Sequence, residues 1–223
     1  MVDLELRRVV LDRLILYYRY LADLEAAKPV ETITSARLGE ALEVDPSQVR
    51  KDFAAIGLMG MSRIGYDACE VCSTIRRVVG FDLSYPAALV GAGMLGSAIL
   101  GYTEFERYGF RVVAAFDRDP FKVGRRIGGR TIMPSTELGG FVEKHHIPLA
   151  ILTTPAEAAQ ELTDTLVAAG VAAIWNFTSV RLTVPPGVLV RNERFTAGLA
   201  EIAYHLSRPE LSEAAHAPTS RMT

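Results

Sequence analysis

The chain has 223 residues, 49% of them hydrophobic and 22% charged, with a formal net charge of −2. These values describe a soluble protein of one or two domains with a sizeable core. Two cysteines exclude a disulfide framework, the start of the chain lacks the apolar stretch of a signal peptide, and the apolar run 87–102 is too short and glycine-rich to cross a membrane. A cytoplasmic location is expected. Residues 1–80 hold 11 Lys+Arg against 12 Asp+Glu, so binding of nucleic acid there requires the positive charge to gather on one face.

In chain order, Leu6, Val9, Val10, Leu14, Tyr17, Tyr18, Leu21 and Leu24 recur at three- and four-residue steps, which predicts one long helix over 4–27. A break follows around Pro29. Thr34 or Ser35 can cap a short second helix ending near Leu42. Asp45 is a good N-cap, Pro46 suits the first helical position and Gln48 completes a capping box, so a third helix starts there. A short helix, a tight turn and a capped polar helix make a helix-turn-helix. The glycine-punctuated stretch 57–66 then predicts a β-hairpin wing. Ser47, Gln48, Arg50 and Lys51 fall in the first turns of the recognition helix, where side chains reach base edges or phosphates, and Arg63 sits in the wing. A structural three-helix domain with solvated Arg50 and Lys51 is the competing reading.

Cys69 and Cys72 open a predicted helix over 69–79. With no second cysteine pair and no histidine nearby in sequence, they read as two buried helix residues rather than as a redox pair or half a zinc site. Residues 80–85 form the predicted linker.

An apolar strand, 87–90, then stops at Gly91. The run Gly91, Ala92, Gly93, Met94, Leu95, Gly96 carries G-x-G-x-x-G, a helical pattern follows, and a second apolar strand, 112–116, ends in Asp117. This is the strand, turn, helix, strand and acid of a dinucleotide-binding unit. Gly91 permits the turn, Gly93 lets a pyrophosphate approach the backbone, Gly96 allows close helix packing, and the helix N-terminus offers N–H groups to phosphates. Asp117 can accept from a ribose diol and repel a 2′-phosphate. Arg118 beside it keeps NADP open. Downstream, strands near 131–133, 149–153 and 173–177 alternate with helices at 136–144 and 156–169, which predicts a doubly wound parallel sheet, an α/β fold. Ligands lie at the carboxyl ends of such strands. That places Thr153, Thr154, Pro155, Asn176 and Phe177 near a nicotinamide, against the alternative of ordinary strand-end turns. A last amphipathic helix covers 196–206, and the small polar residues from 209 predict a disordered tail.

Seven segments together resemble one family: L-I-L-Y-Y-R-Y-L (14–21), Q-V-R-K-D-F (48–53), G-A-G-M-L-G (91–96), A-F-D-R-D-P (115–120), A-I-L-T-T-P (150–155), L-V-A-A-G-V (166–171) and W-N-F-T (175–178). They resemble the redox-sensing transcriptional repressors of the Rex family. The resemblance implies a non-enzymatic homodimer, with a winged-helix domain over 1–80, a Rossmann NAD(H)-binding domain over 81–208 and a C-terminal helix exchanged between subunits. It implies binding to inverted-repeat double-stranded DNA, with release driven by NADH. By the same resemblance, Phe195 reaches the nicotinamide of the partner subunit, and Arg19 and Tyr102 belong to a redox-linked contact set. Two departures stand out. The wing reads Met61-Ser62-Arg63-Ile64 where the family carries an Arg-Gly run, and Arg194 occupies the switch position where the family commonly has aspartate. The competing readings are an NAD-dependent oxidoreductase, a relative reading another adenine nucleotide, and a CoA-binding or structural module. No catalytic or metal-binding residue is expected.

Overall fold

The computed structural model describes residues 6–27 and 30–208; the side chain of Phe195 and the tail expected to be disordered from 209 lie outside the described residues. The chain forms two compact units. The first runs to Ser84 and includes Arg107–Gly109; the second comprises Tyr85–Glu106 and the chain from Phe110 on. Phe81–Ser84 and Arg107–Gly109, placed with the nucleotide domain from sequence, therefore group with the first unit, where the Tyr108 ring packs edge-on against Phe81 at 5.0 Å.

In the first unit, α1 (Arg8–Ala27) buries Leu14, Tyr17, Tyr18 and Leu21, one stripe at helical spacing. Val9, expected on that stripe, is 64% exposed, so the stripe is buried only from Leu14 on. α2 (Ser35–Leu42) is capped by Thr34, whose hydroxyl accepts the Arg37 N–H. α3 (Pro46–Ala55) is capped by Asp45 through the Ser47 N–H at 2.7 Å. The expected capping box is not completed by Gln48. Its amide turns instead to Asp52 at 2.8 Å, where a buried carboxylate gains more from a donor than an exposed cap does. β1 (Thr32–Ile33) pairs antiparallel with β2 (Tyr66–Asp67). The wing is smaller than a hairpin over 57–66. One bridge joins Met61 to Gly65, with Arg63 left-handed at φ 65° in the loop between them. α4 (Ala68–Val79) closes the unit and ends at left-handed Gly80. The core gathers Tyr17, Phe53 and Tyr66 edge to face, at 5.5 and 4.8 Å between ring centres.

The second unit is a seven-stranded sheet. Its strands are β3 (Tyr85–Val90), β4 (Phe110–Asp117), β5 (Arg126–Ile127), β6 (Arg130–Pro134), β7 (Leu149–Leu152), β8 (Ala173–Asn176) and β9 (Leu189–Asn192), in the order β5-β6-β4-β3-β7-β8-β9. All neighbours are parallel except β5 with β6. Without β5 this is the doubly wound order that places a ligand crevice where the connections reverse, beside β3. The crossover helices are α5 (Met94–Gly101), α6 (Leu138–His145) and α7 (Ala156–Ala168), and α8 (Phe195–Leu206) ends the described chain. Apolar side chains cover both faces of the sheet, led by Phe116, Leu138 and Leu152 on one and by Leu89, Ile132 and Ile151 on the other.

Candidate dinucleotide cleft and nucleic-acid interface

A cleft of about 840 Å³ opens at the carboxyl ends of β3, β4 and β7. Gly91, Gly93, Asp117, Arg118, Thr153, Thr154 and Pro155 line it. Gly91 sits at φ +102°, and a Cβ there would lie 2.7 Å from the Thr153 carbonyl oxygen. A Cβ on Gly96 would run into the Gly91 carbonyl oxygen. These two glycines fit the helix and the neighbouring loop against the strand. Gly93 differs: a Cβ there meets nothing within 4 Å. The N-terminus of α5 therefore opens onto space, with its N–H groups and positive dipole end available to an anion. The Thr153 hydroxyl ties the loops together by donating to the Gly91 carbonyl at 2.7 Å.

Asp117, at the end of β4, is 7% exposed. One oxygen accepts the Asp119 N–H at 2.9 Å and the other accepts Lys122 Nζ at 3.0 Å. Burial alone would raise its pKa, but these donors and the Ala92 N–H hold the carboxyl below its ordinary value. It is thus an ionised acceptor fixed at the cleft wall. Thr154, also in the wall, has a buried hydroxyl oxygen with no hydrogen-bond partner among the described residues. Open space at Gly93, a fixed carboxylate and an unsatisfied buried hydroxyl fit a phosphorylated nucleotide with a ribose diol.

Other expected residues fall elsewhere. Ala92 is buried, while Met94 and Leu95 sit outward in the first turn of α5, Met94 at 95% exposed. Asn176 is fully buried and its amide is committed. It donates to Val180 and Asn192 and accepts from the N–H and hydroxyl of Thr178. These bonds lock the end of β8. Phe177 packs against Trp175 and does not line the cleft. Tyr102 is half-exposed against Phe105, and Arg194 is exposed at the start of α8. Arg19 is exposed on α1, in the other unit.

In the first unit, α3 displays Ser47, Arg50 and Lys51 to solvent, and Arg63 is exposed in the wing. Arg50 donates to the Ser35 hydroxyl at 3.1 Å. Gln48 is held inward. Sequence reasoning missed what holds it. Asp52, 2% exposed, receives Arg13 through two N–H groups at 2.6 and 2.8 Å, Tyr17 Oη at 2.9 Å and the Gln48 amide. A carboxylate one place before buried Phe53 and three after buried Val49 was the available signal. Burial opposes ionisation of Asp52, and its donors more than offset it, holding the pKa below the ordinary value. Hydrogen bonding to the same carboxylate raises Arg13.

Residues 8–54 match a family described as putative DNA-binding protein N-terminus, and residues 83–180 match one described as CoA binding domain. Redox-sensing transcriptional repressor Rex of Clostridium beijerinckii is 38% identical over 90% of this chain and 95% of its own length. The protein of the same name from Chloroflexus aurantiacus is 39% identical over 91% and 95%. Among solved structures, RSP in complex with β-NAD⁺ and operator DNA matches with a TM-score of 0.86 at 33% identity, covering 96% of this chain and 99% of that one. RSP in complex with β-NADH matches at 0.84 and 33%, covering 95% and 99%.

Proposed function

The chain belongs to the Rex family of redox-sensing transcriptional repressors, and we propose from that membership that it binds an inverted-repeat operator as a homodimer in the cytoplasm and releases it when NADH replaces NAD⁺. One observation carries the reading: the cleft beside β3, with its fixed carboxylate and open helix N-terminus, belongs to the same chain as a capped helix presenting Ser47, Arg50 and Lys51. A two-fold dimer offers two such helices to two half-sites.

In the cleft, the N–H groups at Gly93, Met94 and Leu95 hold the pyrophosphate, and Asp117 receives the ribose diol. Thr154 donates its unsatisfied hydroxyl to the ligand. The nicotinamide supplies the signal, which is its oxidation state. Asp117 also separates this reading from a coenzyme A site, because a carboxylate set to receive two ribose hydroxyls repels a 3′-phosphate. Phe195 of the exchanged helix completes the nicotinamide end, and Arg19, Tyr102 and Arg194 form the set that couples it to the DNA-binding unit.

We assign no catalytic residue. Hydride transfer to a substrate needs a positioned acid or base beside the nicotinamide. The ionisable residues lining the cleft are Asp117, Arg118, Asp119, Lys122 and Glu161, of which Asp117 and Lys122 are bonded to each other. No described helix is long and apolar enough to cross a membrane.

The test is a gel shift on a DNA fragment carrying the inverted repeat, with either cofactor added. A complex that persists with NAD⁺ and dissociates with NADH is expected. Indifference to both cofactors would remove the sensor role, and no complex at all would remove the repressor role.

A further inference from the structure

The chain's two cysteines are both in α4, three residues apart. The expectation of two buried residues is corrected, since neither is buried. Cys69 is exposed, and only Cys72 is partly covered. Both line a single small crevice with Leu21, Glu25, Val30 and Ala68. We propose that Cys69 and Cys72 form a second redox-responsive site, a dithiol that a hydroperoxide oxidises to an intramolecular disulfide, weakening the hold of the first unit on DNA.

The geometry favours the pair. Residues three apart on a helix have Cβ atoms about 5–6 Å apart, and a disulfide needs about 3.5–4.5 Å. Tightening the turn toward 3₁₀ geometry, where such side chains eclipse, closes that gap. The cysteines lie in the first two turns of α4, where tightening disturbs the fewest helical bonds. Among the described residues no group of three His, Cys, Asp or Glu side chains is placed to hold a metal ion.

The order of the chemistry follows from exposure. Burial, reinforced by the charge of Glu25, pushes the Cys72 thiol up to about 11, so it stays protonated at neutral pH. Exposed Cys69 attacks first. Its sulfur bonds to one peroxide oxygen, the O–O bond breaks and the departing oxygen takes up the Cys69 thiol proton, leaving a sulfenic acid on Cys69. Cys72 sulfur then attacks Cys69 sulfur, the S–O bond breaks, and the departing hydroxide takes the Cys72 proton as water. The two thiols lose two electrons and two protons in all.

A path leads from this turn to the recognition helix within the first unit. The turn is held by the Asp67 cap, which accepts the Glu70 N–H at 2.8 Å, and by the Ala68 N–H on the Glu31 carbonyl at 3.0 Å. Tightening it pulls on β2, whose Tyr66 ring packs on Phe53 of α3 at 4.8 Å. The effect on DNA rests on the repressor reading; disulfide formation does not.

The experiment treats the full-length protein, with NAD⁺ present, with hydrogen peroxide. It measures alkylatable thiols, chain mass and operator affinity. Expected are loss of both thiols, a chain lighter by two hydrogens that runs as a monomer on a non-reducing denaturing gel, and a severalfold rise in operator Kd that dithiothreitol reverses. Cys69→Ser should show none of these changes under peroxide. Two thiols that stay alkylatable, a disulfide that joins two chains, or an oxidised protein that binds operator as tightly as the reduced one overturns the proposal. A reduced protein that fails to bind operator overturns the repressor reading, while the thiol count still decides the disulfide.

Discussion

Gln48 and Asp52, one turn apart on α3, are bonded side chain to side chain at 2.8 Å, and the same Asp52 carboxylate anchors Arg13 of α1. α3 is thereby fixed to α1 by a buried charge with four donors. Removing one partner of such a pair leaves the others unpaired, so Asp52→Ala should destabilise the first unit by about 2–4 kcal/mol. The single tryptophan, Trp175, lies in the second unit, so two probes separate the units. Far-UV circular dichroism should lose helical signal at lower urea, while the Trp175 fluorescence transition stays in place. Coincident, unshifted transitions would discard the anchor. The pH dependence has a definite sign. The folded-state pKa of Asp52 is depressed from 3.8, so its contribution is complete well above pH 3.8 and is lost as pH falls below that value toward the folded pKa.

Arg50 and Lys51 are both exposed on α3 but should fail differently. If Arg50 makes a bidentate base contact, Arg50→Ala costs about 1–3 kcal/mol on operator DNA and little on random DNA. Lys51→Ala should weaken both and reduce the salt slope by about one. Fluorescence anisotropy at several salt concentrations on the two DNAs distinguishes them. An Arg50→Ala chain that binds operator like the parent removes Arg50 from base readout.

The glycines of the cleft also part company. Gly96→Val drives a side chain into the Gly91 carbonyl and should lower the stability of the second unit. A Cβ at position 93 meets nothing within 4 Å, so Gly93→Val should leave unfolding unchanged. It fills phosphate space, and loss of one or two hydrogen bonds to a charged group at about 1.5–3 kcal/mol each should reduce NADH affinity at least about tenfold. Calorimetry and thermal melts on both variants check the contrast. A destabilised Gly93→Val chain would place that glycine in the packing instead.

Much of this was legible because its signals are local. The strand, glycine turn and acid of the nucleotide unit occupy 87–117, and the caps at Thr34 and Asp45 depend only on neighbours a few residues away. What escaped depends on distant partners. β9 is a mostly exposed edge strand, L-V-R-N, only four residues long. Without β9 the hydrogen-bond partner of Asn176 is invisible in the sequence, because Asn192 lies on β9 in register beside it. Asp52 looked like an ordinary polar residue of α3 because Arg13 is 39 residues away. Lys122 lies in the polar, glycine-containing stretch 120–129, where nothing in the sequence shows that it reaches Asp117.

That lysine has a testable effect. Lys122 Nζ and the Asp119 N–H each occupy one oxygen of Asp117, which fixes the carboxylate and partly offsets its charge. Lys122→Ala should weaken NAD(H) binding and sharpen the bias against NADP(H), because the bare carboxylate repels a 2′-phosphate more strongly. Asp117→Ala should weaken NAD(H) and lessen that bias. Calorimetry with the four nucleotides measures both. Unchanged affinities in Asp117→Ala would take Asp117 out of the site.

The last prediction concerns Arg194, exposed at the N-cap of α8, where the Rex resemblance implies a carboxylate that pairs with Arg19 or Tyr102 according to the cofactor bound. A ligand shifts a two-state equilibrium only by its difference in affinity for the two states. With arginine in place, an approach to Arg19 is repulsive, so one state loses an attraction. Glu193 does not simply take over, because its carboxylate is engaged by Trp175 Nε1 at 3.2 Å and Arg191 Nε at 3.0 Å. The expected outcome is a protein that binds both cofactors but releases operator with a smaller preference for NADH than Arg194→Asp shows. Titrating operator release by NADH and NAD⁺ in parent and variant gives the two preference ratios. If the parent already prefers NADH strongly and Arg194→Asp leaves the ratio unchanged, residue 194 is a solvated bystander and the switch runs through Phe195 and the packing of the units.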